Sequence, residues 1–263
     1  MIFLLYALLG SCAGLLAGLF GIGGGLIIVP ALIFSFKLQG LPPEILTHMA
    51  IGTSFASIVF TSLSSTQTHH KKRAVKWSIF LYMAPGILIG VWLGSLTVSH
   101  MKGETLQLIL GLFVILISIK MLLGLQPSPS NKKQSKPLLV IVSMIIGWKS
   151  ALLGIGGGIL SVTFLRFYRL SIRQAVGTSA ACGLPIAVMG TISNIILGSG
   201  QTLLPKWSSG FVYWPAFSGI VLTSVFFARL GARLAHHFST ETLQKCFAVF
   251  LLVVGANLLW PLL

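Results

Sequence analysis

Two glycine clusters set 133 residues apart carry the clearest chemical potential of this chain: Gly21, Gly23, Gly24 and Gly25 in the first, Gly154, Gly156, Gly157 and Gly158 in the second. Each glycine in a helix interior costs about 1 kcal/mol relative to alanine, so four in five residues invite a break. Where a helix restarts after such a break, its first N–H groups have no partner within the helix. Together with the helix dipole they form a surface suited to an anion. Close helix packing through small residues is the competing use of the same glycines. A nucleotide loop is excluded, because the Gly-Lys-Ser/Thr ending is missing and apolar runs flank both clusters.

Hydroxyls recur with the glycines. Ile51-Gly52-Thr53-Ser54 is answered by Val176-Gly177-Thr178-Ser179. Thr53, Ser54, Thr178 and Ser179 can hydrogen-bond the oxygens of an oxyanion, or join helix to helix. Lys149 is a cation well inside an apolar run, where an ionisable group by default marks a pathway or a pairing partner. There is no Asp, and Glu occurs only at 44, 104 and 241, so the partner of Lys149 is expected to be a transported anion or, by snorkelling, the membrane interface. Asn194 is a further polar side chain in an apolar run, suited to the pathway or to helix pairing. His48 and Gln67 could face the pathway but lie close to loops and are expected to be solvated, and Glu104 and Glu241 each open a helix, where a carboxylate favours the positive end of the dipole. Cys12, Cys182 and Cys246 sit in apolar segments without a Cys-x-x-Cys pair, which argues against disulfides and zinc. No motif for a cofactor or a resident metal is present.

The elements that must position these residues are membrane helices. Apolar residues make up 55% of the chain and charged residues 8%, a balance that a soluble domain could not carry on its surface. The apolar runs are continuous rather than alternating, which excludes a β-barrel and predicts an all-α membrane protein embedded in a lipid bilayer. Five segments fall in each half: 2–20, 25–36, 44–68, 77–98 and 104–124, then 138–153, 158–170, 173–198, 209–235 and 241–262. The second of each half reaches roughly halfway across the hydrocarbon and is expected to be a half-helix, its glycine cluster either capping a full crossing or forming the tip of a re-entrant pair.

Further echoes extend the duplication. Glu104-Thr105-Leu106-Gln107 returns as Glu241-Thr242-Leu243-Gln244. The expected organisation is a first transmembrane repeat at 1–125, a basic cytoplasmic linker at 126–137 and a second repeat at 138–263. An odd number of segments per half turns the second repeat over, giving two inverted-topology repeats. With the loop holding Lys71, Lys72, Arg73 and Lys76 in the cytoplasm, 14 of the 18 Lys and Arg fall on that side and three, Lys37, Lys102 and Lys206, on the other. Both termini then face the outside of the cytoplasmic membrane. The net charge of +15 is thus explained by topology, and no basic domain remains for nucleic acid. Neither paired carboxylates nor a nucleophile constellation points to an enzyme.

The repeated Gly-x-Gly-Gly-Gly after an apolar helix, the Val/Ile-Gly-Thr-Ser of each half and the basic loop after the third segment together resemble the TauE/SafE family of sulfite exporters and related permeases. The resemblance covers essentially the whole chain. It implies a permease of two homologous halves moving a small anion, often a sulfur oxyanion or an organosulfonate. In that pattern the matching residues are the eight cluster glycines with Thr53, Ser54, Thr178 and Ser179, whereas Lys149 lies outside it. The expected mechanism is alternating access about a mid-membrane site. A passive anion channel and a membrane assembly protein are the competing expectations.

Overall fold

The computed structural model describes residues 2–20, 24–124, 136–234 and 240–260, and within them the regular structure is helical apart from one small hairpin. The first half runs through α1 (Ile2–Phe20), α2 (Gly25–Leu38), α3 (Pro43–Lys71), α4 (Trp77–Ser99) and α5 (Gly103–Leu122). The second runs through α6 (Lys136–Leu153), α7 (Gly158–Phe167) and α8 (Ile172–Gly198), then the strands β1 (Ser208–Ser209) and β2 (Val212–Tyr213), then α9 (Trp214–Leu234) and α10 (Thr240–Leu259). Among the described residues, five of these, α3, α4, α5, α6 and α8, are long and apolar enough to cross a bilayer. Leucine, isoleucine and phenylalanine crowd the outer faces of the bundle as well as its core, since lipid replaces water there. This is an all-α membrane protein.

The two short segments are as short as expected. At 1.5 Å per residue, α2 with 14 residues and α7 with 10 extend roughly 21 and 15 Å. One expected segment starts late: 209–235 loses its first residues to the β1–β2 hairpin, and α9 begins at Trp214. Trp207 and Gly210 both take positive φ, which turns the chain before a helix can start.

Helices pair across the halves: α1 packs on α9, α4 on α6, α3 on α8 and α5 on α10. Glycines let the first two pairs approach backbone to backbone and run parallel. A Cβ at Gly10 would stand 2.7 Å from Ile220 Cα and one at Gly14 2.6 Å from Ser224 Cα; along α4, Gly86, Gly90 and Gly94 face Val140, Met144 and Trp148 of α6 in turn. The other two pairs run antiparallel. Ser62 faces Gly183 and Phe55 faces Gly190 between α3 and α8, while Gln107 Nε2 donates to Leu258 O at 2.7 Å and Ser118 Oγ to Ala248 O at 2.6 Å between α5 and α10.

The repeated threonines fasten this frame. Tyr213 N, just before α9, donates to Thr53 Oγ1 at 3.0 Å, and Lys76 N, just before α4, donates to Thr178 Oγ1 at 3.0 Å. Both threonines are fully buried. Thr53→Val and Thr178→Val each remove the acceptor while keeping the shape, so each is expected to lower stability by about 1 kcal/mol. Thermal unfolding in detergent checks this, with serine at either position retaining most of the wild-type midpoint.

Candidate functional site

The second glycine cluster folds as a sharp connection between α6 and α7. Gly154 and Gly157 take φ of +64° and +68°, a region that L side chains rarely adopt, so α6 stops at Leu153 and α7 restarts at Gly158. In the first half Gly24 plays the same part, with φ of +78° at the N-cap of α2 and its carbonyl accepting from Ile27 N and Ile28 N. Gly21 and Gly23 lie outside the described residues. The two breaks meet: a Cβ at Gly25 would stand 2.9 Å from Ile155 Cα and 3.2 Å from Gly154 O.

Around the restart of α7 the chain assembles a small polar pocket. Its volume is about 50 Å³, and it is lined by Thr61, Ser62 and Ser65 of α3, by Gly156, Gly158 and Val162, and by Val176, Ser179, Ala180 and Gly183 of α8. No side chain caps α7, and its first helical bond runs from Ser161 N to Gly157 O, which leaves the N–H groups of Gly158, Ile159 and Leu160 without helical acceptors. Two hydroxyls flank the same turn. A Cβ at Gly157 would stand 3.2 Å from Ser150 Oγ and 3.4 Å from Ser161 Oγ. Both serines are fully buried, and neither hydroxyl has a hydrogen-bond partner among the described residues. Unpaired donors in a dry interior are costly, and a ligand with acceptor oxygens relieves that cost. The restart joins helix-start amides and a helix dipole to the pocket, which has no carboxylate among its lining residues, while Ser150 and Ser161 stand behind the turn and do not line it.

The expected site residues divide into groups. Gly156, Gly158 and Ser179 line the pocket, with Ser179 Oγ donating to Gly158 O at 3.1 Å, and Gly157 lies beside it. Ser54 Oγ donates to Gly154 O at 2.9 Å and so braces the break from α3. Thr53 and Thr178 are engaged by main-chain N–H groups as above and do not line the pocket. Asn194 is buried but turned to its own helix, Nδ2 donating to Gly190 O at 2.8 Å, while its main-chain carbonyl accepts from Phe211 N of the hairpin. Lys149 is exposed on the outer face of α6. Its neighbour Trp148 donates to Thr97 Oγ1, two residues from the end of α4, a level from which a lysine reaches the interface by snorkelling.

Thr61, Ser62, Ser65, Ser150 and Ser161 were not singled out by sequence. The run Thr61-Ser62-Leu63-Ser64-Ser65-Thr66, dense in hydroxyls within an expected span, was the available signal. His48 also differs from expectation: it is 5% exposed rather than solvated, because the end of α4 covers it.

Apolar helices broken around a hydroxyl-lined pocket, with irregular backbone held inside protein, make up the build of a membrane transporter. Residues 6–258 match the family described as "Sulfite exporter TauE/SafE", and the chain belongs to that family. A probable membrane transporter protein of Haemophilus influenzae is 40% identical over 256 residues, covering 97% of each chain. The probable membrane transporter protein YunE of Bacillus subtilis is 28% identical, covering 99% of this chain and 98% of its own. One from Xylella fastidiosa is 26% identical over 95% of this chain and 92% of its own. No solved structure matches. The protein is a multi-pass membrane transporter and not an enzyme.

Proposed function

We propose that this transporter carries a small anion, a sulfur oxyanion such as sulfite, by alternating access, and that the anion binds at the restart of α7. The observation that carries this reading is the pair of buried hydroxyls of Ser150 and Ser161, without hydrogen-bond partners among the described residues, beside the first amides of α7, which have no helical acceptors. A pocket of about 50 Å³ favours an inorganic oxyanion over an organosulfonate with a carbon chain. Ser54 and Ser179 hold the broken backbone in place, and Gly25 of the first-half cluster packs against Ile155 and Gly154.

The antiparallel pairing of α3 with α8 and of α5 with α10 supports two inverted repeats, 1–125 and 138–263, that rock about the shared site. The distribution of Lys and Arg supports a cytoplasmic linker and external termini in the cytoplasmic membrane. In a cysteine-free background, a single cysteine at Lys72 is expected to resist a membrane-impermeant maleimide added to intact cells. Labelling there would reverse the orientation.

Counterflow in proteoliposomes tests the transport reading. Sulfite, thiosulfate, sulfate, small sulfonates and carboxylates are each screened as the internal anion. The expected result is saturable uptake of labelled sulfite or thiosulfate that is accelerated by the same anion inside. Flux without saturation or trans-acceleration would instead indicate a channel, and no flux with any anion would remove the reading.

A further inference from the structure

We propose that His48 is the proton-binding site of this transporter and couples movement of its substrate to a proton. Among the described residues, His48 is the buried side chain whose ordinary titration falls near neutral pH. Both ring nitrogens face main-chain carbonyls from two different helices: Nδ1 lies 3.1 Å from Glu44 O of its own helix and Nε2 lies 3.1 Å from Val98 O at the end of α4. A neutral imidazole has one N–H and one lone pair, so it can satisfy one of these oxygens while its lone pair opposes the other. Imidazolium donates to both. The ring also stacks on Phe211 at 5.0 Å and 30°, a contact that a cation strengthens.

The proton has a route to this ring. His48 lines a cavity of about 450 Å³ between the starts of α3 and α5, the end of α4 and the segment after α8. The charged groups around that cavity are Glu44 on α3, Lys102 just before α5 and Glu104 on α5, while Gln201, Leu203 and Phe211 from the remaining walls bring none; His100 stands on the turn between α4 and α5. Glu44 and Glu104 are two of the three carboxylates in the whole chain, and they offset the charge of a protonated ring.

The coupling runs through α3. A proton taken from cavity water onto the free ring nitrogen completes the second carbonyl bond and ties α3 to the end of α4. Its return to water breaks one of the two ties. Fourteen residues further along α3, Ser62 lines the anion pocket, and Ser54 between them braces the glycine break. Loosening α3 at His48 therefore bears directly on the pocket.

Two measurements decide this. The first needs no substrate: the protein labelled with ¹⁵N-histidine is followed by solid-state NMR in liposomes between about pH 5 and 8, with the His48 signals identified by their loss in His48→Asn. The expected result is conversion from two protonated nitrogens to one within that range; one unchanging protonation state throughout overturns the proposal. The second rests on the anion reading and uses thiosulfate, which does not titrate in this range, with a pH dye inside the vesicles. Wild type is expected to move protons with thiosulfate, and His48→Asn to keep thiosulfate exchange while proton movement falls to the leak of empty vesicles. Unchanged proton movement in His48→Asn overturns the proposal, as does its absence in wild type when exchange is intact. If thiosulfate exchange is absent altogether, it is the anion reading that fails, and the NMR titration alone supports or overturns the proton site.

Discussion

Gly157→Ala is expected to lower transport at least tenfold, about 1.4 kcal/mol, while leaving the protein folded. An alanine at φ of +68° costs about 1–2 kcal/mol in backbone strain. The new methyl would stand 2.5 Å from Ile186 Cδ1, the far end of a flexible side chain that can rotate away. Its other neighbours are Ser150 Oγ and Ser161 Oγ, so it takes the space that the proposed site assigns to an anion oxygen between those hydroxyls. Each hydrogen bond to a charged group lost in this way is worth about 1.5–3 kcal/mol. Gly154→Ala separates strain from occlusion. It carries similar strain at φ of +64°, but its methyl faces Val29 and Ile51. Counterflow rates at matched amounts of monodisperse protein are the readout: Gly157→Ala should lose far more flux than Gly154→Ala. Equal losses would mean that the glycine serves backbone shape alone.

Gly90→Ala is expected to fail in assembly rather than in flux. Along α4, Gly86, Gly90 and Gly94 recur every four residues and form one flat face against α6. A Cβ at Gly90 would overlap the Met144 carbonyl oxygen and come within 2.9 Å of Met144 Cα. Those are backbone atoms of a packed helix, so no rotamer change can relieve them. Overpacking of this kind costs roughly 3 kcal/mol, and the two helices must separate along their length. The thermal midpoint in detergent should fall sharply and the yield of monodisperse protein with it. Leu88→Ala on the exposed face of the same helix is the comparison, expected to change stability little. A Gly90→Ala protein as stable as wild type would mean that α4 and α6 do not pack as described.

What could be read from sequence was local. The glycine clusters announced the breaks because the cost of glycine in a helix is a property of the residue itself, and α2 and α7 came out short for that reason. The hairpin before α9 was missed because Phe211, Val212 and Tyr213 are apolar in a strand or a helix alike. Thr53 and Thr178 were visible as a repeated motif, yet their partners, Tyr213 N and Lys76 N, lie 160 and 102 residues away in the chain. Ser150 and Ser161 are ordinary serines until packing shows that their hydroxyls find no hydrogen-bond partner among the described residues. His48 looked solvated by its nearness to a loop, and only the return of α4 through Val98 buries it. Lys149 stood out in sequence for its charge, but helix rotation turns it outward.

Selenite, the heavier analogue of sulfite, offers the most direct test of the anion site. Crystals of the transporter grown with selenite and measured at the selenium absorption edge should show an anomalous peak within hydrogen-bonding reach of Gly158 N, Ser150 Oγ and Ser161 Oγ. That peak should vanish in Ser150→Ala/Ser161→Ala protein. A selenium peak lodged elsewhere, with the restart of α7 empty and selenite exchange intact, would contradict the account.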